Sequence, residues 1–217
     1  MLNFVLDFLF PPSCGICGKI NKNWLCINCE KRIKILEKNI LIKTNKNFDK
    51  LFYIFDYDKI IRKLILRYKF SNKPYLSSFF AQIISKNEKI CSIFNFYDII
   101  IPVPMNIKKK RKRGYNQTEL IIKKIVEIHG STERIPVLET NMLLKTKETK
   151  TQSILKEKER RDNVKDAFIV NNNAKIKNKK IILFDDIYTT GATVNECSRV
   201  LKQAGASEIL VLVIARD

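Results

Sequence analysis

Residues 185–193 read Asp185-Asp186-Ile187-Tyr188-Thr189-Thr190-Gly191-Ala192-Thr193, two carboxylates beside a loop of hydroxyls around one glycine. Thr hydroxyls and the open N–H groups of a following helix suit a phosphate, and Gly191 lets the backbone approach it closely. The carboxylates would repel that phosphate. They suit the neutral hydroxyls of the same ligand, a ribose 2′/3′ diol, so the stretch asks for a ribose 5-phosphate. A second chemistry lies near the N-terminus, where Cys14-Gly-Ile-Cys17 and Cys26-Ile-Asn-Cys29 form two Cys-x-x-Cys pairs. Each pair can wrap two thiolates around one ion, and the short spacer lets both pairs meet on one tetrahedral Zn²⁺. Four thiolates leave no open position, so this zinc is structural. Redox disulfides are the competing reading, but neither pair sits in a thioredoxin-like βαβ setting. A third cluster is the cationic run Lys108–Arg113, which follows Pro102-Val103-Pro104-Met105. A rigid loop beside dense positive charge suits a second anionic group such as a pyrophosphate. A solvated charge run accounts equally well for the first lysines. It accounts less well for Arg113-Gly114-Tyr115-Asn116-Gln117, which mixes guanidinium, glycine, ring and amides.

The elements that must position these groups follow from the apolar pattern. Ile181–Phe184 run without alternation, as in a strand buried on both faces of a parallel sheet. Val194, Cys197, Leu201 and Ala204 recur at helical spacing, and Gly205 supplies the stop. The threonine loop therefore sits at a helix N-terminus. Asp98–Pro104 reads as another buried strand whose prolines stiffen the loop after it. Further strands are expected at 51–57, 167–170 and 209–215, and helices over 60–68 and 75–86, with an amphipathic helix opened by residues 114–117. Residues 30–45 read as a Lys-rich connector, helical at first. The polar stretch 145–163 is either a lid or an exposed basic helix, and it carries Lys145, Lys147, Lys150, Gln152, Arg160, Arg161 and Asn163. His129, the only histidine, is expected at a helix end or on the surface rather than as a catalytic base. Trp24 is expected to pack the cysteine module onto its neighbour.

At 217 residues the chain can bury one good core with a small accessory module. A boundary at residue 45 separates an N-terminal helix and cysteine module, 1–45, from an α/β domain, 46–217. The formal charge of +19, from 41 Lys and Arg against 22 Asp and Glu, favours anionic partners such as nucleic acid. A general lysine bias, from an AT-rich genome, is the other source of that excess. Residues 1–10 are apolar but lack a basic leader and are interrupted by Asp7, so a short packed helix is expected. No stretch reaches transmembrane length, and the chain is read as cytoplasmic.

The order strand, acidic pair, Thr-Thr-Gly-Ala-Thr, helix resembles the PRPP-binding motif of type I phosphoribosyltransferases. Beyond it, the four cysteines, Tyr68-Lys69-Phe70, Pro102-Val103-Pro104, Arg113-Gly-Tyr-Asn-Gln117, Gln152, Arg160-x-x-Asn163 and Ala167-Phe168 stand in one order along the chain. Together they resemble the ComF family of bacterial competence proteins over essentially the whole sequence. Tyr115 stands where Phe is usual, and Lys145 and Lys147 stand where the family tends to place Arg, which removes any bidentate phosphate contact there.

The resemblance implies a zinc module followed by a type I phosphoribosyltransferase-like α/β domain, a parallel sheet flanked by helices. It implies a competence role in handling single-stranded DNA during natural transformation, with PRPP and Mg²⁺ as ligands and a competence helicase or other uptake proteins as partners. Asp185 and Asp186 would hold the ribose hydroxyls and act catalytically. Thr189, Thr190, Gly191, Ala192 and Thr193 would cradle the 5-phosphate. Val103, Pro104 and Met105, with Arg113, Gln152 and Arg160, would meet the pyrophosphate. Two other roles stand beside the competence reading: a working, amidophosphoribosyltransferase-like transferase of unknown acceptor, and a PRPP-sensing scaffold that recruits proteins. A transferase of this kind displaces pyrophosphate from C1 of PRPP through an oxocarbenium-like transition state.

Overall fold

The apolar run before the acidic pair becomes the central strand of a six-stranded sheet. The computed structural model describes residues 13–21, 25–44, 46–70, 74–130, 134–149 and 157–217. The expected N-terminal helix, Trp24 and Gln152 lie outside them. In chain order the elements are α1 (Ile27–Ile35), β1 (Glu37–Lys43), β2 (Lys50–Asp56), α2 (Lys59–Phe70), α3 (Leu76–Ser85) and α4 (Glu88–Phe94). Then come β3 (Ile99–Pro102), α5 (Ile107–Arg113), α6 (Gln117–His129), β4 (Val137–Leu138) and β5 (Leu143–Lys145). The chain finishes with α7 (Glu157–Val164), β6 (Phe168–Val170), β7 (Lys180–Tyr188), α8 (Ala192–Gln203) and β8 (Glu208–Arg216).

The main sheet runs β1-β2-β8-β7-β3-β4, and β5 pairs with β6 in a separate two-stranded ribbon. Every neighbour in the main sheet is parallel except β1, which lies antiparallel on the edge. Alternation along β7 splits the core. Ile182 and Phe184 face one apolar cluster with Leu64 and Tyr68 of α2, Phe80 of α3 and Ile121 of α6. Ile181 and Leu183 face the other, with Cys197 and Leu201 of α8 and Phe168 of β6. The first cluster also takes Cys14, Ile16, Leu25, Cys29 and Ile33, so residues on both sides of position 45 share one core.

The residues expected as a connector, 30–45, are helical at first but also hold a strand. They supply most of α1 and all of β1, an edge strand whose exposure alternates weakly. Its pairing with β2 shifts between Glu37 and Ile40, where Asn39 takes a left-handed φ of 52°. That bulge, and the polar residues on both faces, hide a strand from any period-two count. His129 ends α6, as expected, but is not on the surface. It is buried, with its ring set edge-on to Phe94 at 6.3 Å.

Candidate functional site

The connections place a crevice between β3 and β7. From β3 the chain crosses through α6 to β4 on one side, and from β7 it crosses through α8 to β8 on the other. Neighbouring parallel strands whose crossovers diverge leave a gap at their C-terminal ends, where ligands of open α/β sheets bind. The two loops flagged by the sequence, after β3 and after β7, flank this gap.

The sequence places the acidic pair just beyond its strand. The structure carries β7 on to Tyr188, so both carboxylates lie within it. Pairing to β8 continues through Asp185, Ile187 and Tyr188, whereas pairing to β3 ends at Pro102 opposite Phe184. One more bond, Val103 N–H to the Phe184 carbonyl at 2.9 Å, closes that side before β3 departs. Consecutive strand residues project to opposite faces, and the two carboxylates have different neighbours. Lys69, the penultimate residue of α2, brings its ammonium to 2.8 Å from each oxygen of Asp186. Both side chains are largely buried, at 19% and 11% exposure, so removing either would strand a charge. Asp185 is less paired. Burial, and then the charge of Asp186, push its carboxyl up to about 7, against the opposing pull of Lys69, the Asp186 N–H and Lys145. That N–H donates to Asp185 Oδ1 at 2.8 Å.

Thr189 and Thr190 form the turn after β7, and Gly191 caps α8 with φ 74°, the left-handed region open to glycine. A methyl at this position would stand 2.5 Å from the Tyr188 hydroxyl. Ala192 and Thr193 open the helix, so the first N–H groups of α8 face the loop as an anion site requires. Arg160 of α7 donates to Thr189 Oγ1 at 3.2 Å, which brings a cation from the 145–163 segment to the threonine loop. On the loop's outer side a cleft of about 720 Å³ is lined by Lys46, Arg161, Lys165, Thr190, Gly191 and Asn195, among others. Neither carboxylate lines it; they stand where β3 leaves the sheet.

The loop after β3 is held by side chains rather than by its own backbone. The Val103 carbonyl accepts from Asn116 Nδ2 and from Thr118 Oγ1, both at 3.2 Å. Asn116 also caps α6 through Thr118 N–H. Asn106 caps α5 by accepting from the N–H groups of Lys108 and Lys109. Pro104 and Met105 lie between these anchors, half-buried. Arg113 ends α5 with its guanidinium carbon 5.1 Å from the centre of the Phe70 ring. Lys145 on β5 donates to Thr149 Oγ1 at 2.7 Å and stands over the Phe168 ring; burial draws its ammonium below the usual lysine value.

Sequence reasoning gave no role to Lys69, although it read the helix that carries it. It also missed Lys46, which donates to the Tyr188 hydroxyl at 2.6 Å, and Asn47, whose N–H donates to Asn195 at 3.1 Å. No local signal marks either residue, because both partners lie far along the chain.

The four sulfurs of Cys14, Cys17, Cys26 and Cys29 lie within 4.8 Å of one another, and all six cysteines are free of disulfides. A tetrahedron of bonds near 2.3 Å sets sulfurs about 3.8 Å apart, and Cys17 and Cys26 stand at 3.8 Å. The donor set fits one metal ion. Burial opposes ionisation of Cys14, but the N–H groups of Cys17, Cys26 and Ile16 bring its thiol down to about 6. Gly18, at φ 79°, turns the first knuckle and its N–H donates to the Cys14 carbonyl. Arg67 Nη1 of α2 reaches the carbonyls of Gly15 and Ile16 at 2.9 and 3.0 Å, so one helix touches both the knuckle and Asp186. Among the described residues no helix is long and apolar enough to cross a membrane.

Residues 101–217 match the model of the phosphoribosyl transferase domain. Competence protein F of Haemophilus influenzae is 32% identical over 214 residues, spanning 94% of this chain and 85% of that protein. Competence protein ComFC of Bacillus subtilis is 25% identical over 194 residues, spanning 88% and 72%. DNA utilization protein YhgH of Escherichia coli O157:H7 is 25% identical over 173 residues, spanning 78% and 73%. A mostly parallel sheet flanked by helices, a phosphate-type loop at its switch point and a four-cysteine cluster recur here with whole-chain similarity, and the chain belongs to the competence protein F/ComFC family of phosphoribosyl transferase-fold proteins.

Proposed function

We propose that this protein binds PRPP in the crevice between β3 and β7 and handles single-stranded DNA during natural transformation. The observation that carries the reading is the switch point itself: an acidic pair stands near the end of β7 and a phosphate-type loop follows the strand, and a second, anchored loop follows the adjacent β3. In this reading Thr189–Thr193 and the first N–H groups of α8 hold the 5-phosphate, and Arg160, expected at the pyrophosphate, joins them from beside Thr189. Asp185 and Asp186 orient the ribose diol, and Lys69 fixes the Asp186 carboxylate that does so. Val103, Pro104 and Met105, with Arg113, meet the pyrophosphate end, and Gln152 belongs to the segment suited to close over it. Mg²⁺ bound with PRPP would neutralise pyrophosphate charge. Cys14, Cys17, Cys26 and Cys29 hold one structural Zn²⁺, and α2 ties that module to the site. The names of the relatives, competence and DNA utilization, support a role with incoming DNA. So does the +19 charge.

Calorimetric titration of PRPP with Mg²⁺ into wild type and the Asp185→Ala/Asp186→Ala double variant tests the reading. Binding to the wild type and none to the variant is the expected result; equal affinity would sink it. Anisotropy of a labelled single strand, in the presence and absence of PRPP, then separates a nucleotide site coupled to DNA from two independent surfaces.

A further inference from the structure

Phe70 ends α2 with 70% of its surface exposed, although a phenyl ring gains most when buried. It does not stand alone. Arg113 covers the ring at 5.1 Å, and the two residues come from different helices, α2 and α5. Beneath them the same two segments are clamped. The Tyr68 and Tyr115 rings stack at 5.9 Å, the Tyr68 hydroxyl donates to the Gln117 carbonyl at 2.9 Å, and the Tyr115 hydroxyl donates to the Tyr68 carbonyl at 2.8 Å. Lys69, between Tyr68 and Phe70, is fixed on Asp186. The ring is thus exposed but rigidly based, beside the ribose-diol carboxylates. Leading up to Arg113 is α5, Ile-Lys-Lys-Lys-Arg-Lys-Arg, about 10 Å of helix whose Lys109 and Arg111 stand in solvent. From sequence, the cationic run lacks interleaved aromatics. The fold supplies one from α2.

We propose that Phe70, backed by Arg113, is a platform on which an unpaired base of a single strand stacks, with the cations of α5 tracking the adjacent phosphates. A π face with a guanidinium on one side and phosphate-attracting charge alongside is the combination that holds single strands without reading their sequence. A free base would have no use for the cations of α5; a strand has. The inference rests on the single-strand reading above and names its contact.

The test compares full-length wild type, Phe70→Ala and Phe70→Trp by anisotropy, using a labelled oligothymidylate and a strand of equal length made of abasic residues. Phe70→Ala weakens oligothymidylate binding roughly five- to fifty-fold, leaves the slope against salt unchanged, and has no effect on the abasic strand. Phe70→Trp retains wild-type affinity because it restores a ring, and undiminished abasic-strand binding by Phe70→Ala rules out misfolding as the cause. Equal oligothymidylate affinity in wild type and Phe70→Ala overturns the platform, as does an equal loss on the abasic strand. If wild type itself binds neither strand, the single-strand reading fails and takes the platform with it.

Discussion

The loops after β7 and β3 flank one crevice, yet their parts come from different places. On the β7 side the site is contiguous: Asp185 to Thr193, the end of the strand with the loop and helix start after it, carry the carboxylates, the hydroxyls, the left-handed glycine and the first helical N–H groups within nine residues. The loop after β3 is assembled. Its Val103 carbonyl is anchored from α6, its Arg113 end rests on Phe70 of α2, and Tyr115 bonds back to Tyr68. A contiguous site concentrates its dependence on single positions, whereas an assembled one spreads it over several weak ties.

Among single substitutions the largest effect on PRPP affinity should come from Gly191→Ala. A left-handed backbone costs an ordinary residue about 1–2 kcal/mol, and the added methyl meets Tyr188 at 2.5 Å. PRPP affinity is expected to fall about 100-fold, close to 2.7 kcal/mol, when measured by calorimetry. A loss under fivefold would show that the loop tolerates a rebuilt turn, and the contrast between the loops would collapse.

Asp185 gives an intermediate effect with a defined pH signature. Its folded pKa, about 7, stands above the ordinary 3.8. Below about pH 4 both folded and unfolded states hold the proton, and the group is neutral to stability. Between pH 4 and 7 the unfolded chain ionises first, so folding loses stability as pH rises, and the loss levels off above about 7. Asp185→Asn cannot ionise, and its amide oxygen can still accept the Asp186 N–H. Thermal melts should show the variant gaining on wild type from pH 4 upward, reaching roughly 2–4 kcal/mol, or several °C, at pH 8. A difference that shrinks with rising pH would refute the burial argument.

Asn116→Ala should be the mildest. It removes a helix cap and one bond to the Val103 carbonyl, worth about 1 kcal/mol of stability. The Thr118 hydroxyl has one proton and two acceptors in reach, Val103 O and Asn116 Oδ1. Without Asn116 it turns wholly to Val103, so PRPP affinity should drop less than about fivefold. A drop equal to that of Gly191→Ala would mean that the second loop is not redundantly held.

The same difference explains what could be read from the sequence. Ile181–Phe184, the acidic pair and the Thr-Gly-Thr loop are neighbours, so period, dipole and glycine arguments apply directly, and the four cysteines declare their own spacing. The family resemblance covered the chain because such local pieces keep their order. Lys69 had to be found on Asp186 through the packing of α2 against β7, and Phe70 beneath Arg113 through the clamp between Tyr68 and Tyr115. Those contacts depend on which helices meet, and no local pattern encodes that. Strand β1 was missed for a different reason: a bulge at Asn39 and an exposed edge erase its alternation.

One feature of the threonine loop constrains how this sequence can drift. The Tyr188 ring fills the space a side chain at position 191 would need, and Lys46 is tied to its hydroxyl. While Tyr188 stands, every single-step replacement of Gly191 meets a wall. Shrinking Tyr188 first removes the wall but leaves the left-handed backbone, so the double change remains impaired. Positions 46, 188 and 191 therefore form an epistatic set, in which the route to a different loop must begin at the tyrosine, never at the glycine.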